Sequence, residues 1–112
     1  MIKDPVTFPN FQKLDFRVGK VVEAEFKEGS TNLIRMKVDL GSDYGIRTIF
    51  AGIKKWYKPG QLKGKKFIFV ANLEPKKIMG SESCGMMLAA DMDNRPFIIP
   101  VAKKILEGVT VR

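Results

Sequence analysis

Apolar and polar residues alternate along most of the chain, and a period of two is the mark of a half-buried β-strand. The cleanest stretch covers residues 32–40, where Ile34, Met36, Val38 and Leu40 alternate with Arg35, Lys37 and Asp39. An earlier strand is expected over residues 16–26, with Phe16, Val18, Val22, Ala24 and Phe26 on one parity and Glu23, Glu25 and Lys27 on the other. The pattern weakens at Lys20-Val21, beside Gly19. An interior glycine there predicts a bulge or sharp bend, the device by which small barrels close. A third strand is expected at 46–53 and a fourth at 65–73, whose run Phe67-Ile68-Phe69-Val70-Ala71 predicts a central position. Residues 85–91 form a fifth, and 97–101 pair at an edge.

Glu28-Gly29-Ser30-Thr31-Asn32 and Leu40-Gly41-Ser42-Asp43 carry the residues of turns on either side of the second strand. Between strands three and four, residues 54–64 are too many for a tight turn. They have room for one or two helical turns, interrupted by Pro59-Gly60. Five antiparallel strands with a short helical insertion after the third is the OB-fold arrangement, an all-β Greek-key barrel whose exposed face takes oligonucleotides. The pattern alone supports no more than a small β-barrel and leaves a β-sandwich open. One domain over residues 1–112 is expected, with 1–10 as an N-terminal extension.

Composition then narrows the chemistry. With 45% hydrophobic and 29% charged residues, the chain has the makeup of a folded protein. No apolar run approaches the ~18 residues of a membrane helix. The start Met1-Ile2-Lys3-Asp4-Pro5 lacks a signal peptide's apolar centre, so a cytoplasmic location is expected. One cysteine, Cys84, excludes an internal disulfide and fits a reducing compartment. There is no histidine, hence no imidazole base and nothing resembling a zinc site. No catalysis, metal or cofactor is expected.

The net charge of +8 points to a polyanionic partner, nucleic acid or an anionic membrane surface. Its distribution is sharper still. Between Lys54 and Lys77 stand eight lysines, at 54, 55, 58, 63, 65, 66, 76 and 77, against the single acid Glu74. Heat adaptation would raise Glu along with Lys. An almost purely basic segment is instead the footprint of nucleic-acid binding.

Gly60-Gln61-Leu62-Lys63-Gly64-Lys65-Lys66 superficially resembles a phosphate loop. It has three residues between its glycines where four are needed, and lacks a Ser or Thr after the lysine. Trp56 and Tyr57, beside Lys54, Lys55 and Lys58, suit either a stacking platform or, more simply, packing at the barrel. The polar residues of 71–90 lie between two apolar strands and so belong at a loop mouth. Asn72 can bond a base edge or sugar, Lys76 and Lys77 can reach phosphates, and Ser83 offers a short donor-acceptor or a turn cap. Met86 can pack on a base or join the core. Cys84 fits as a small buried residue.

At this segment a resemblance emerges. Asn72-Leu73-x-Pro75-Lys76-Lys77-Ile78-x-Gly80-x-x-Ser83-x-Gly85-Met86-x-Leu88-Ala89-Ala90 resembles the signature of the tRNA-binding domain family. Phe11-x-Lys13-Leu14-Asp15-Phe16-Arg17-Val18-Gly19, Lys37-Val38-Asp39-x-Gly41, Ala51-Gly52-Ile53 and Tyr57-x-Pro59-x-x-Leu62-x-Gly64-Lys65 agree, in order, over about residues 11–112. Many members carry a His-Pro-x-Ala-Asp-x-Leu stretch after the first strand; here Phe26-Lys27-Glu28-Gly29-Ser30-Thr31-Asn32-Leu33 keeps plainly only the leucine.

The resemblance implies an OB-fold with extra C-terminal strands, a homodimer, and binding of tRNA by shape. It places tRNA contacts on Asn72, Lys76, Lys77, Ser83 and Met86; Lys54 and Lys55 are added on charge. The function it implies is that of a β subunit or C-terminal domain of methionyl-tRNA synthetase, raising tRNA affinity for a catalytic partner. The competing reading is an export-related chaperone or peptide-binding protein of the same fold, which has little use for the basic segment. Single-stranded DNA binding calls for exposed aromatics along the barrel face. Arg17, Glu23, Glu25, Arg35, Lys37 and Asp39 are expected there instead.

Overall fold

The computed structural model describes residues 1–112. A short helix α1 (Phe8–Gln12) leads into β1 (Phe16–Phe26), β2 (Ile34–Asp39), β3 (Ile46–Ala51) and β4 (Lys66–Val70). Six shorter strands follow: β5 (Lys76–Ile78), β6 (Ser81–Ser83), β7 (Met86–Met87), β8 (Ala89–Met92), β9 (Arg95–Ile98) and β10 (Thr110–Val111). The main sheet runs β3-β2-β1-β4-β7, antiparallel throughout, with β10 laid on the start of β1. Across the gap between β3 and the approach to β7, the Cys84 N–H donates to the Thr48 carbonyl at 2.9 Å. The sheet therefore nearly closes into a barrel, the OB architecture expected from the pattern.

The core follows the alternation of β2. Ile34, Met36, Val38 and Leu40 are fully buried, and Phe67, Phe69, Ile49 and Leu62 fill the space they face. The expected bulge in β1 exists, displaced from the glycine. Pairing with β2 jumps from Val21↔Val38 to Glu23↔Lys37, so Val22 is the extra residue. Inward parity passes from Gly19 and Val21 to Ala24, and the single parity expected for Phe16, Val18 and Val22 is broken. Gly19 serves close packing instead. A Cβ there would lie 2.6 Å from both the Phe69 ring and a Val38 methyl. Val18, facing outward, is buried by the C-terminal segment, where its N–H donates to the Val109 carbonyl and its carbonyl accepts from Gly108.

Three expectations change. The insertion after β3 holds no α-helix, only turns and one 3-10 turn at Pro59–Gln61, because Pro59 lacks an N–H and Gly60 is a poor helix former. Its Leu62 is fully buried as a plug. The fifth strand divides at Leu88: Met86–Met87 pair with β4, whereas Ala89–Met92 leave the barrel to pair with Arg95–Ile98. Asp93 and Asn94, with φ of 54° and 57°, make the tight turn of that hairpin. The edge strand expected at 97–101 thus lies at 95–98, off the main sheet. Tyr57 ties it down; its hydroxyl donates to the Pro96 carbonyl and accepts from the Ile98 N–H. Packing is therefore what Tyr57 does here.

Candidate nucleic-acid interface

The polar segment after β4 is an ordered hairpin, β5–β6. Its base is clipped to the barrel by Ser83, which is 6% exposed and whose hydroxyl accepts from the Phe50 N–H at 3.1 Å. The Cys84–Thr48 bond beside it doubles the clip. At the tip, Met79 sits with φ of 49°, its methyl next to Gly29 in the β1–β2 loop. The hairpin thus reaches from β3 to that loop. Lys76 and Lys77 are exposed on β5; Lys77 stands opposite Glu82 without an ion pair.

Lys54 borders the same loop but is half-buried. Its Nζ donates to the Ser30 carbonyl at 2.8 Å and lies 5.0 Å from the centre of the Phe26 ring. Ser30 in turn accepts from the N–H groups of Asn32 and Leu33, so this loop is fixed by its own side chain. Lys55 is exposed and unpaired. Lys76, Lys77 and Ser83 thus share one hairpin, and Lys54, in the segment after β3, is bonded to the loop that the hairpin tip touches.

Asn72 stands apart from them. Its Oδ1 accepts from the Asp15 N–H at 2.8 Å and its Nδ2 donates to the Lys13 carbonyl at 2.7 Å. Its amide holds the segment between α1 and β1. Met86 is half exposed on β7 while its neighbour Met87 is buried, as alternation dictates. Burial, with Glu82 next to it, pushes the Cys84 thiol up, keeping it protonated near neutrality.

Three features were not foreseen. Phe26 is 46% exposed at the end of β1 under the Lys54 ammonium, and charge patterning gave no sign of it. Lys66 turns inward to the C-terminal segment. The third is a network around Arg17, whose guanidinium grips Asp15 (2.7 and 3.1 Å) and reaches Asp43 and the Gly108 carbonyl. The Tyr44 hydroxyl donates to the same Asp15 carboxylate. Arg17 is the main reason the Asp15 carboxyl is held below its usual range, and that carboxylate raises the Tyr44 hydroxyl. Asp15 and Arg17, two apart on an extended segment and therefore on one side, were the available sequence signal.

Two cations on the outer face of β1 and β2 are already paired, Arg35 with Glu25 at 3.0 Å and Lys37 with Glu23 at 3.7 Å. Free cationic charge accordingly stands on the hairpin and loops at the barrel's rim.

A nearly closed five-stranded barrel with a basic hairpin on its rim defines an OB-type nucleic-acid-binding class. Residues 16–110 match the family model described as "Putative tRNA binding domain". Over 107 residues, 96% of the chain, it is 47% identical to a methionine–tRNA ligase of Pyrococcus horikoshii. It is 46% identical to that of Methanothrix thermoacetophila over 110 residues, 98% of the chain. It spans only about a seventh of the length of such relatives, 14% and 16% respectively. The crystal structure of a MetRS-related protein from Pyrococcus horikoshii superposes with a TM-score of 0.92 at 38% identity, covering 98% of this chain and all of that one. A CsaA chaperone from Bacillus anthracis gives 0.84 at 26%, over 97% of this chain and all of that one. The chain belongs to the tRNA-binding domain family.

Proposed function

We propose that this domain binds folded tRNA by its backbone and supplies it to methionyl-tRNA synthetase, as a separate subunit or a joined domain, without catalysing a reaction itself. The observation that carries this is the ordered hairpin presenting Lys76 and Lys77 exposed and without ion pairs, on a barrel whose outward Arg35 and Lys37 are already paired. Kinship with methionine–tRNA ligases supports the choice of catalytic partner, and a cytoplasmic setting follows from that partner. Lys55, Lys76 and Lys77 attract phosphates directly, and Lys54, its ammonium held by the Ser30 carbonyl, adds charge and fixes the loop. Met86 packs at the hairpin's exit, while Ser83 and Asn72 act mainly by holding the hairpin base and the N-terminal segment in place. The domain works as a homodimer. Its support is an apolar groove lined by Phe8, Phe11, Leu14, Phe16 and Val111, together with exposed Leu106 and Val109.

Several unrelated tRNAs will bind within about tenfold of one another, ~1.4 kcal/mol, and unfolded RNA of equal length will bind more weakly. Lys76→Ala and Lys77→Ala will each lower the slope of log K against log salt by about 0.7–0.9. Equal binding of folded and unfolded RNA, or an unchanged slope in both variants, refutes the reading. Sedimentation equilibrium showing only the 12.6 kDa monomer at micromolar concentration refutes the dimer.

A further inference from the structure

The lysines between 54 and 77 form one block in the sequence, and the fold divides them. Lys76 and Lys77 lie beyond the C-terminal end of β4, whereas Lys63 and Lys65 precede its N-terminal end. At the N-terminal end Lys66 does not face solvent. Its Nζ donates to the carbonyls of Lys103 (3.0 Å) and Ile105 (2.7 Å) and pairs with Glu107 at 3.3 Å. The Val101 N–H donates to the Lys66 carbonyl at 2.8 Å.

These bonds seat the C-terminal segment against the 62–66 loop. Between them lies a cleft of about 190 Å³ lined by Gly64, Lys65, Lys66, Pro100, Val101 and Lys103. Lys65, Lys103 and the adjoining Lys104 are exposed and pair with no carboxylate. Glu107, the one acid in the last fourteen residues, is taken by Lys66. Lys66 therefore both fixes the segment and removes the charge that would have quenched its lysines.

We propose that this cleft is a second contact for the phosphate backbone of the bound RNA, remote from the hairpin, with Lys65 and Lys103 as its phosphate-facing groups. It rests on the RNA-binding reading above. Unpaired ammonium groups on two separate elements, the β5–β6 hairpin and the edge of this cleft, suit a partner with negative charge repeated along its length. A nucleic-acid strand carries one charge per ~3.4 Å, so a single bound molecule can meet both sets. An acidic polypeptide is the alternative that the test separates.

The experiment compares the full chain with a Lys65→Ala/Lys103→Ala variant, a Lys76→Ala/Lys77→Ala variant and the combination of all four changes. Affinity for folded tRNA and for polyglutamate is measured across a salt series, with a thermal melt of each protein. Each double variant is expected to melt like the parent and to lower the tRNA salt slope by about 1.4–1.8, two contacts' worth, with the losses adding in the combination. Lys65→Arg/Lys103→Arg is expected to retain the parental slope. If Lys76→Ala/Lys77→Ala lowers the slope and Lys65→Ala/Lys103→Ala does not, the second contact is overturned while the proposed function stands. Loss of polyglutamate binding with tRNA binding intact assigns the cleft to an acidic protein and also overturns it. A parent chain with no salt-dependent affinity for tRNA overturns both.

Discussion

Ser83→Ala separates a residue that touches RNA from one that positions the residues that do. Ser83 is buried, and its hydroxyl accepts from the Phe50 N–H at 3.1 Å. Alanine leaves that buried N–H without an acceptor, which costs ~1–3 kcal/mol. For a domain of this size, each kcal/mol moves the melting temperature by roughly 4 °C, so a fall of about 4–12 °C is expected. The base of the β5–β6 hairpin then hangs on the Cys84–Thr48 bond alone. Lys76 and Lys77 keep their charge but lose their fixed placement, and ordering them on binding draws on the binding energy. Affinity for tRNA should fall while the salt slope stays put, since no ammonium has been removed. The assay pairs calorimetric melting with a salt titration of tRNA binding. An unchanged melting temperature together with a large loss of affinity would refute the reasoning, because the hydroxyl would then be meeting RNA directly.

Gly19→Ala should destabilise by about 1–3 kcal/mol in urea, because its Cβ overlaps Phe69 and Val38 in a filled core; a neutral result would mean those side chains can move aside. Lys55→Ala should lower the salt slope by about 0.7–0.9 with no change in melting. Lys54→Ala, which gives up the Ser30 carbonyl and the Phe26 ring, should lower melting as well, and identical behaviour of the two variants would contradict the geometry. Asp15→Asn should cost ~2 kcal/mol near neutral pH, since the carboxylate and Arg17 are mostly buried together. The folded-state pKa of Asp15 is depressed, so its stabilisation is complete above the unfolded value near 3.9 and is lost as pH falls through the lower folded value. The urea-stability gap between parent and Asp15→Asn should therefore hold from pH 8 to 5 and shrink below about 4; a gap constant down to pH 2.5 would contradict that.

The strands of the barrel were legible because each buries one face, and Ile34, Met36, Val38 and Leu40 state that face directly. Less legible were elements whose order depends on a distant part of the chain. The β5–β6 hairpin has only three-residue strands and is held through Ser83 to Phe50, thirty-three positions away, so its local pattern is that of a loop. β10 exists because it lies on β1 ninety-odd residues upstream. Gly19 was correctly singled out, but for backbone freedom, whereas the need is for space against Phe69. Charge was legible in amount and not in availability. Lys54 and Lys66 belong to the basic segment by sequence, yet one is bound to Ser30 and the other to the carbonyls of 103 and 105. Asn72, chosen for its amide, already has that amide engaged by Lys13 and Asp15.

The disposition of the remaining charge bears on how RNA is told apart. On β2 the outward Arg35 and Lys37 already have partners in Glu25 and Glu23, so a phosphate arriving at them must displace a carboxylate. The network around Tyr44 is likewise closed, with Arg17 spread between Asp15 and Asp43. Free ammonium groups stand instead at separate points: Lys76 and Lys77 on the hairpin, Lys55 after β3, Lys65 and Lys103 at the cleft beside the start of β4. Separated points of charge are expected to follow the spacing of phosphates more than the identity of bases, with Phe26 the exposed ring nearest them. Spacing over such distances is fixed only in a folded nucleic acid, since a flexible strand must lose conformational entropy to match it. A preference for folded tRNA over unfolded RNA is the outcome expected from rigidity on both sides. Loosening the protein half, at Ser83 or Lys54, should narrow that preference even where every lysine is kept.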